Sequence, residues 1–167
     1  MRAAPRASRI RLLVLDVDGV LTDGGLSYSA AGEETKRFHV HDGFALVAAL
    51  KAGLQVAVLS GRASAAVTRR MAELGVVEVH QGVADKVSAL DSIRDRLGLT
   101  SREVAVMGDD LPDLAAMRQA GMALAPANAV TEVKRAAHWI ARRRGGDGAV
   151  REAVEMLLKA RRFWPPR

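Results

Sequence analysis

An α/β fold with a central parallel sheet is the architecture this sequence predicts, and three features of the chain predict it. Short apolar runs alternate with helical patterns from end to end, as strands joined by crossover helices require. The runs are apolar on both faces, as in strands covered by helices on either side. Three of them also end in polar, glycine-containing segments, DVDG, SGR and GDD. In an open parallel sheet such carboxyl ends are where ligands bind.

In chain order, residues 10–16 read as the first and central strand. Asp42 is expected to cap a helix running to about Ala52, with Gly53 ending it. Residues 55–60 (QVAVLS) form a second buried strand, residues 64–74 a helix stopped by Gly75, and residues 77–80 a short strand. Asp85 caps a helix over residues 86–97, in which Val87, Leu90, Ile93 and Leu97 keep helical spacing. Residues 104–108 (VAVMG) are a further strand, and Pro112 suits the first turn of a helix ending at Ala120. Strands over 122–125 and 138–140 complete the sheet, and a helix over 149–160 closes the chain.

Residues 24–40 break the alternation and read as a β-hairpin flap turning near Ala31 and Gly32, with Leu26 and Tyr28 on one face and Phe38 and Val40 sharing another. An isolated hairpin is marginal in water, so this one must pack on its own core or on a neighbouring subunit. The whole chain, 1–167, reads as one domain with a frayed terminus over 1–8 and a basic tail over 161–167.

Composition narrows the chemistry. The 167 residues contain no cysteine, which removes disulfides, thiolate metal sites and thiol catalysis and suits a reducing cytoplasm. The longest apolar runs are too short to span a bilayer, and the start has no apolar region of a secretory signal. The net charge of +6, with basic clusters at Arg142–Arg144 and in LKARRFWPPR, suits an anionic partner. Nucleic acid is disfavoured, because only Phe163 and Trp164 lie in a basic context where bases would stack.

The strand ends bring together Asp16, Asp18, Gly19, Ser60, Gly61, Arg62, Asp109 and Asp110, with Lys86 opening the helix between the last two segments. Several carboxylates crowded within about 4 Å repel by roughly 1 kcal/mol per pair in water and more near protein. A hard divalent cation relieves this, and magnesium prefers one or two carboxylates plus water and phosphate oxygens. Asp16 then serves as a nucleophile toward phosphorus, and Asp18 as the acid and later the base. Ser60 and Lys86 hold phosphoryl oxygens, and Gly19 and Gly61 admit close backbone approach. Asp113 either supports the metal site or simply sits in an acid-favouring first turn. His39 and His41, at i, i+2 spacing, match no zinc signature. His80 and His138 read as structural.

With DVDGVLTDG at 16–24, LSGR at 59–62, Lys86 and MGDDLPD at 107–113, the sequence resembles the haloacid dehalogenase superfamily of aspartyl phosphatases. HDGF after the hairpin, GRAS after Ser60 and GGDGAVREAVEMLL at 145–158 narrow the resemblance to the 3-deoxy-D-manno-octulosonate 8-phosphate phosphatase family. It implies a three-layer αβα Rossmann-like fold without a large cap domain. It also implies Mg2+-dependent release of phosphate from a lipopolysaccharide precursor in the cytoplasm. The implied nucleophile is Asp16 and the implied acid/base Asp18. Magnesium would sit on the Asp16 carboxylate, the Asp18 carbonyl and Asp109, supported by Asp110. Ser60 and Lys86 would bind phosphate, and Arg62 the sugar-acid carboxylate. The resemblance further implies a homotetramer in which hairpin and C-terminal segment close a neighbour's site. Independently, the intervals Asp23 to Ser60 and Lys86 to Asp109 are too short for a cap, which needs on the order of 50 residues.

The rival readings are a phosphatase for a nine-carbon ulosonate 9-phosphate and a non-catalytic oligomerisation relative. The second would have lost the nucleophile, Lys86 or the acidic pair, and all are present. A receiver domain is disfavoured because its lysine comes last, whereas here the acidic pair follows Lys86.

Overall fold

The computed structural model describes residues 4–166. Its frame is a six-stranded sheet in the order β5-β4-β1-β6-β7-β8, parallel throughout. The strands are β1 (Leu12–Leu15), β4 (Gln55–Leu59), β5 (Glu78–His80), β6 (Val104–Met107), β7 (Met122–Ala125) and β8 (Trp139–Ile140). Strand β1 is central and registers Leu12 against both Gln55 and Val104. Its four side chains are wholly buried because both sheet faces are covered.

The two-residue period of the strands builds two cores. Leu13, Leu15, Val56 and Val58 face helices α1 (Ala4–Ala7), α2 (Val40–Lys51), α3 (Ala65–Leu74) and α7 (Ala149–Ala160). Leu12, Val14, Ala57 and Leu59 face α4 (Lys86–Arg96), α5 (Leu114–Gln119) and α6 (Thr131–Ala136). Three layers follow directly from this alternation.

Several expected ends hold. Gly75 adopts a left-handed conformation at φ 76° and stops α3. The Asp85 carboxylate accepts from the backbone N–H groups of Val87 and Ser88 and so caps α4.

Three expectations need correction. Asp42 does not cap its own helix: α2 begins at Val40, and the buried Asp42 carboxylate accepts instead from Gly148 N (3.3 Å) and Arg151 N (2.7 Å). It therefore caps α7, 106 residues away, whose own N-cap is a glycine without a side chain to do so. A frayed start was expected over 1–8, but residues 4–7 form a helical turn with Ala7 fully buried and Arg6 donating to the Gly121 carbonyl at 2.6 Å. Residues 1–3 lie outside the described part. The hairpin is also shorter than read: β2 (Ser27–Tyr28) pairs with β3 (Glu34–Thr35), and Val40 belongs to α2, three-quarters exposed.

The basic tail folds back on its own chain. Trp164 covers the Arg151 guanidinium at 4.6 Å, and Phe44 lies against the same guanidinium at 5.3 Å. Among the described residues no helix is long and apolar enough to cross a membrane.

Candidate active site

The carboxyl ends of β1, β4 and β6 border a cleft of about 320 Å³ lined by Asp16, Asp18, Ser60, Arg62, Lys86 and Asp109, with Gly61, Asp110 and Asp113 beside them. Asp16 directly follows β1, and its backbone N–H donates to the Met107 carbonyl at 3.0 Å, extending the ladder into the site. Lys86 is the first residue of α4. Its ammonium donates to Asp16 Oδ1 at 2.9 Å and to Asp113 Oδ1 at 2.7 Å, with only 10% of the side chain exposed.

Carboxylates of Asp16, Asp109 and Asp113 converge to within 4.8 Å of one another. The two oxygens of Asp113 are both engaged: Oδ1 by Lys86, Oδ2 by the backbone N–H groups of Asp109 (3.0 Å) and Asp110 (3.3 Å). Asp113 therefore shapes the loop and orients Lys86. Asp109 Oδ1, by contrast, is buried without a hydrogen-bond partner. The Asp110 carboxylate turns to the Leu111 N–H at 2.7 Å and caps a short 3-10 turn over Leu111–Asp113.

This crowding shows in the acidities. Burial, then the neighbouring Asp113, push the Asp16 carboxyl up to about 6 against the pull of Lys86. Burial, then Asp16 and Asp113, push Asp109 up to about 7. Burial works against the charge on Lys86, but Asp16 and Asp113 together outweigh it and hold its pKa above the ordinary lysine value. A buried orphan oxygen beside two carboxyls driven toward neutrality is the environment that a hard cation relieves, so the residues fit magnesium.

Backbone approach in the loop after β1 depends on glycine. Gly19 sits at φ +86°, and a Cβ there would fall 2.0 Å from Asp109 Oδ2. A Cβ on Gly145 would fall 1.8 Å from the Gly19 carbonyl oxygen, so the GGDG segment packs directly against the loop that carries Asp18. Asn128 fastens the two, donating to the Gly19 carbonyl at 3.0 Å and accepting from Gly145 N at 2.6 Å.

The other half of the site comes from the hairpin. Lys36, with 2% of its side chain exposed, donates to Asp18 and lies 3.5 Å from Glu34. Arg62 reaches Glu34 at 2.7 Å, the Tyr28 hydroxyl at 3.3 Å and Asp18 at 3.5 Å. Ser60 is buried, and its hydroxyl accepts from the Arg62 N–H at 3.2 Å. The structure thus gathers the predicted residues in one cleft and adds Glu34, Lys36 and Asn128. The hairpin base packs on its own site, while Leu26 and Tyr28 are half exposed.

The histidines lie elsewhere. His39 and His41 meet edge to face at 5.0 Å, and His138 Nδ1 accepts from Ala123 N at 2.8 Å beside the sheet edge.

The haloacid dehalogenase-like hydrolase family matches residues 68–152. The 3-deoxy-D-manno-octulosonate 8-phosphate phosphatase KdsC of Escherichia coli K12 is 40% identical over 155 residues, spanning 93% of this chain and 82% of the relative. The chain belongs to the 3-deoxy-D-manno-octulosonate 8-phosphate phosphatase family. Two solved structures of the family superpose closely on it. The Moraxella catarrhalis phosphatase, in complex with magnesium, phosphate and KDO, has a TM-score of 0.94 at 41% identity and covers 96% of this chain and 92% of its own. The cobalt-bound Haemophilus influenzae phosphatase has a TM-score of 0.92 at 39% identity, covering 96% and 95%.

Proposed function

We propose that the chain hydrolyses 3-deoxy-D-manno-octulosonate 8-phosphate to the free sugar acid and phosphate through an aspartyl-phosphate on Asp16. The observation that carries the reading is the constellation itself: Asp16 bound to Lys86, beside the unpartnered Asp109 oxygen and two residues before Asp18. Kinship with a phosphatase that holds magnesium, phosphate and KDO supports the same substrate.

A magnesium ion held by the Asp16 carboxylate, the Asp18 backbone carbonyl and Asp109 would supply charge neutralisation between the carboxylates and the phosphate dianion. Asp113 holds the loop that presents Asp109, and Asp110 caps the turn below it. Lys86 and Ser60 bind the phosphoryl oxygens, and the Gly61 backbone admits them closely.

In the first step an Asp16 oxygen forms a bond to phosphorus as the ester P–O bond breaks, and Asp18 gives its proton to the departing alkoxide oxygen. In the second, Asp18 takes a proton from water whose oxygen attacks phosphorus, and the P–O bond to Asp16 breaks, restoring the carboxylate. Arg62 receives the sugar-acid carboxylate through its planar fork of donors. The chain works as one capless domain in the cytoplasm, as a homotetramer in which the exposed Leu26 and Tyr28 meet a neighbouring copy.

The deciding experiment is phosphate release, with magnesium and with chelator, from a panel of esters. The panel holds the octulosonate 8-phosphate, a nine-carbon ulosonate 9-phosphate, simple sugar phosphates and a 3′-phosphorylated oligonucleotide. Magnesium-dependent preference for the octulosonate is expected. Preference for another ester would replace the substrate, and no hydrolysis by folded protein would remove the catalytic reading.

A further inference from the structure

Four charged side chains close into a ring at the mouth of the cleft. Lys36 pairs with Asp18 and, at 3.5 Å, with Glu34, and Arg62 pairs with Glu34 at 2.7 Å and with Asp18 at 3.5 Å. Anion and cation alternate around it. The members differ sharply in exposure: 2% of the Lys36 side chain reaches solvent, against 46% for Arg62. The guanidinium assigned to a substrate carboxylate therefore already carries a carboxylate of the protein's own, on a short hairpin at the solvent side.

We propose that Glu34 is an internal competitor for Arg62, which yields the guanidinium to the carboxylate of the sugar-acid substrate and reclaims it to help the product leave. The proposal rests on the reading of Arg62 as the carboxylate-binding group. Exchange on the exposed side leaves the buried Lys36 with Asp18, so the acid/base residue keeps its position while Arg62 changes partner. Substrate is held at two ends, by its phosphate and by its carboxylate. The released sugar acid keeps only the carboxylate, so a competitor at Arg62 removes a larger share of the product's hold than of the substrate's. That asymmetry speeds turnover wherever product release is slow. Because Arg62 is half exposed, the competition is worth a modest factor.

The test is calorimetric binding of 3-deoxy-D-manno-octulosonate to the full, magnesium-loaded chain. Glu34→Gln removes the competing charge and keeps the shape, and is expected to bind the sugar acid roughly two- to fivefold more tightly than wild type. The gain should vanish in an Arg62→Met background, and for an analogue whose carboxylate is replaced by an amide. Glu34→Ala should change affinity in the same direction, which guards against an accident of one variant. Unchanged or weaker binding in both variants would overturn the proposal and make Glu34 a brace that orients Arg62. Such a result leaves the substrate assignment intact if wild type still binds the sugar acid. No binding by wild type or variant, in protein that still binds inorganic phosphate, would overturn the substrate reading and this proposal together.

Discussion

The two halves of the cleft hold charge in opposite ways. At the strand ends three carboxylates, Asp16, Asp109 and Asp113, surround a single lysine, and two of them are driven toward protonation. At the hairpin two carboxylates and two cations balance in a closed ring. The first cluster carries an excess of carboxylate that a cation from outside would balance, whereas the second is balanced within itself. The charge-crowded half therefore suits bond-making chemistry, and the balanced half suits recognition and exchange.

The largest expected effect breaks the strand-end half alone. Asp16→Asn should lower kcat by on the order of 10³-fold or more while the melting temperature stays at or above that of wild type. Substantial turnover in the purified variant would exclude the covalent route. Next, Lys36→Met opens the ring on its buried side, freeing Asp18 and Glu34. A loss of roughly ten- to a hundredfold in kcat/KM is expected, with kcat falling more than KM rises, because Asp18 loses its orientation. An equal loss confined to KM would place Lys36 in substrate binding alone.

A smaller effect contrasts the halves through pH. In metal-free protein the folded carboxyls of Asp16 and Asp109 titrate near 6 and 7, against an ordinary value of 3.8. Between these values the folded state binds more protons than the unfolded one, so stability falls as pH rises from about 4 to 7. Thermal melts of chelator-treated protein should therefore decline over that window, and saturating magnesium should flatten the decline. A metal-free melting temperature that rises from pH 5 to 7.5 would contradict the like-charge description. The smallest effect lies outside the cleft. Asp42→Ala uncaps α7 and should cost about 1–2 kcal/mol, or about 2–8 °C in melting temperature, with kcat unchanged. A catalytic defect there would mean that α7 and the GGDG segment transmit strain to the Gly19 loop.

Legibility followed the same division. Asp16, Ser60 and Asp109 could be placed because each lies within two residues of the end of a largely apolar strand, and a parallel sheet sends every such strand end to one edge. Asp85 and Gly75 were readable as a cap and a stop because those interactions are local in sequence. Lys36 and Glu34 carried no comparable signal, for charged residues on a hairpin ordinarily face water. Asp42 looked like the cap of its own helix and caps another one, 106 residues on. Asp113 lies beside the more conspicuous Asp109-Asp110 pair, and its weight comes from Lys86, 27 residues away in sequence, and two backbone N–H groups engaging both its oxygens.

The layered parallel sheet, the grouping of Asp16, Ser60 and Asp109 at one edge and the short intervals between motifs were all legible from the chain alone, because periodicity, local capping and spacing are properties of neighbouring residues. Packing alone settled which carboxylate lacks a partner, which cation the hairpin supplies, and how Asn128 ties Gly145 to the Gly19 loop. Those choices depend on where side chains distant in sequence meet after the chain has packed, and no local pattern encodes such a meeting.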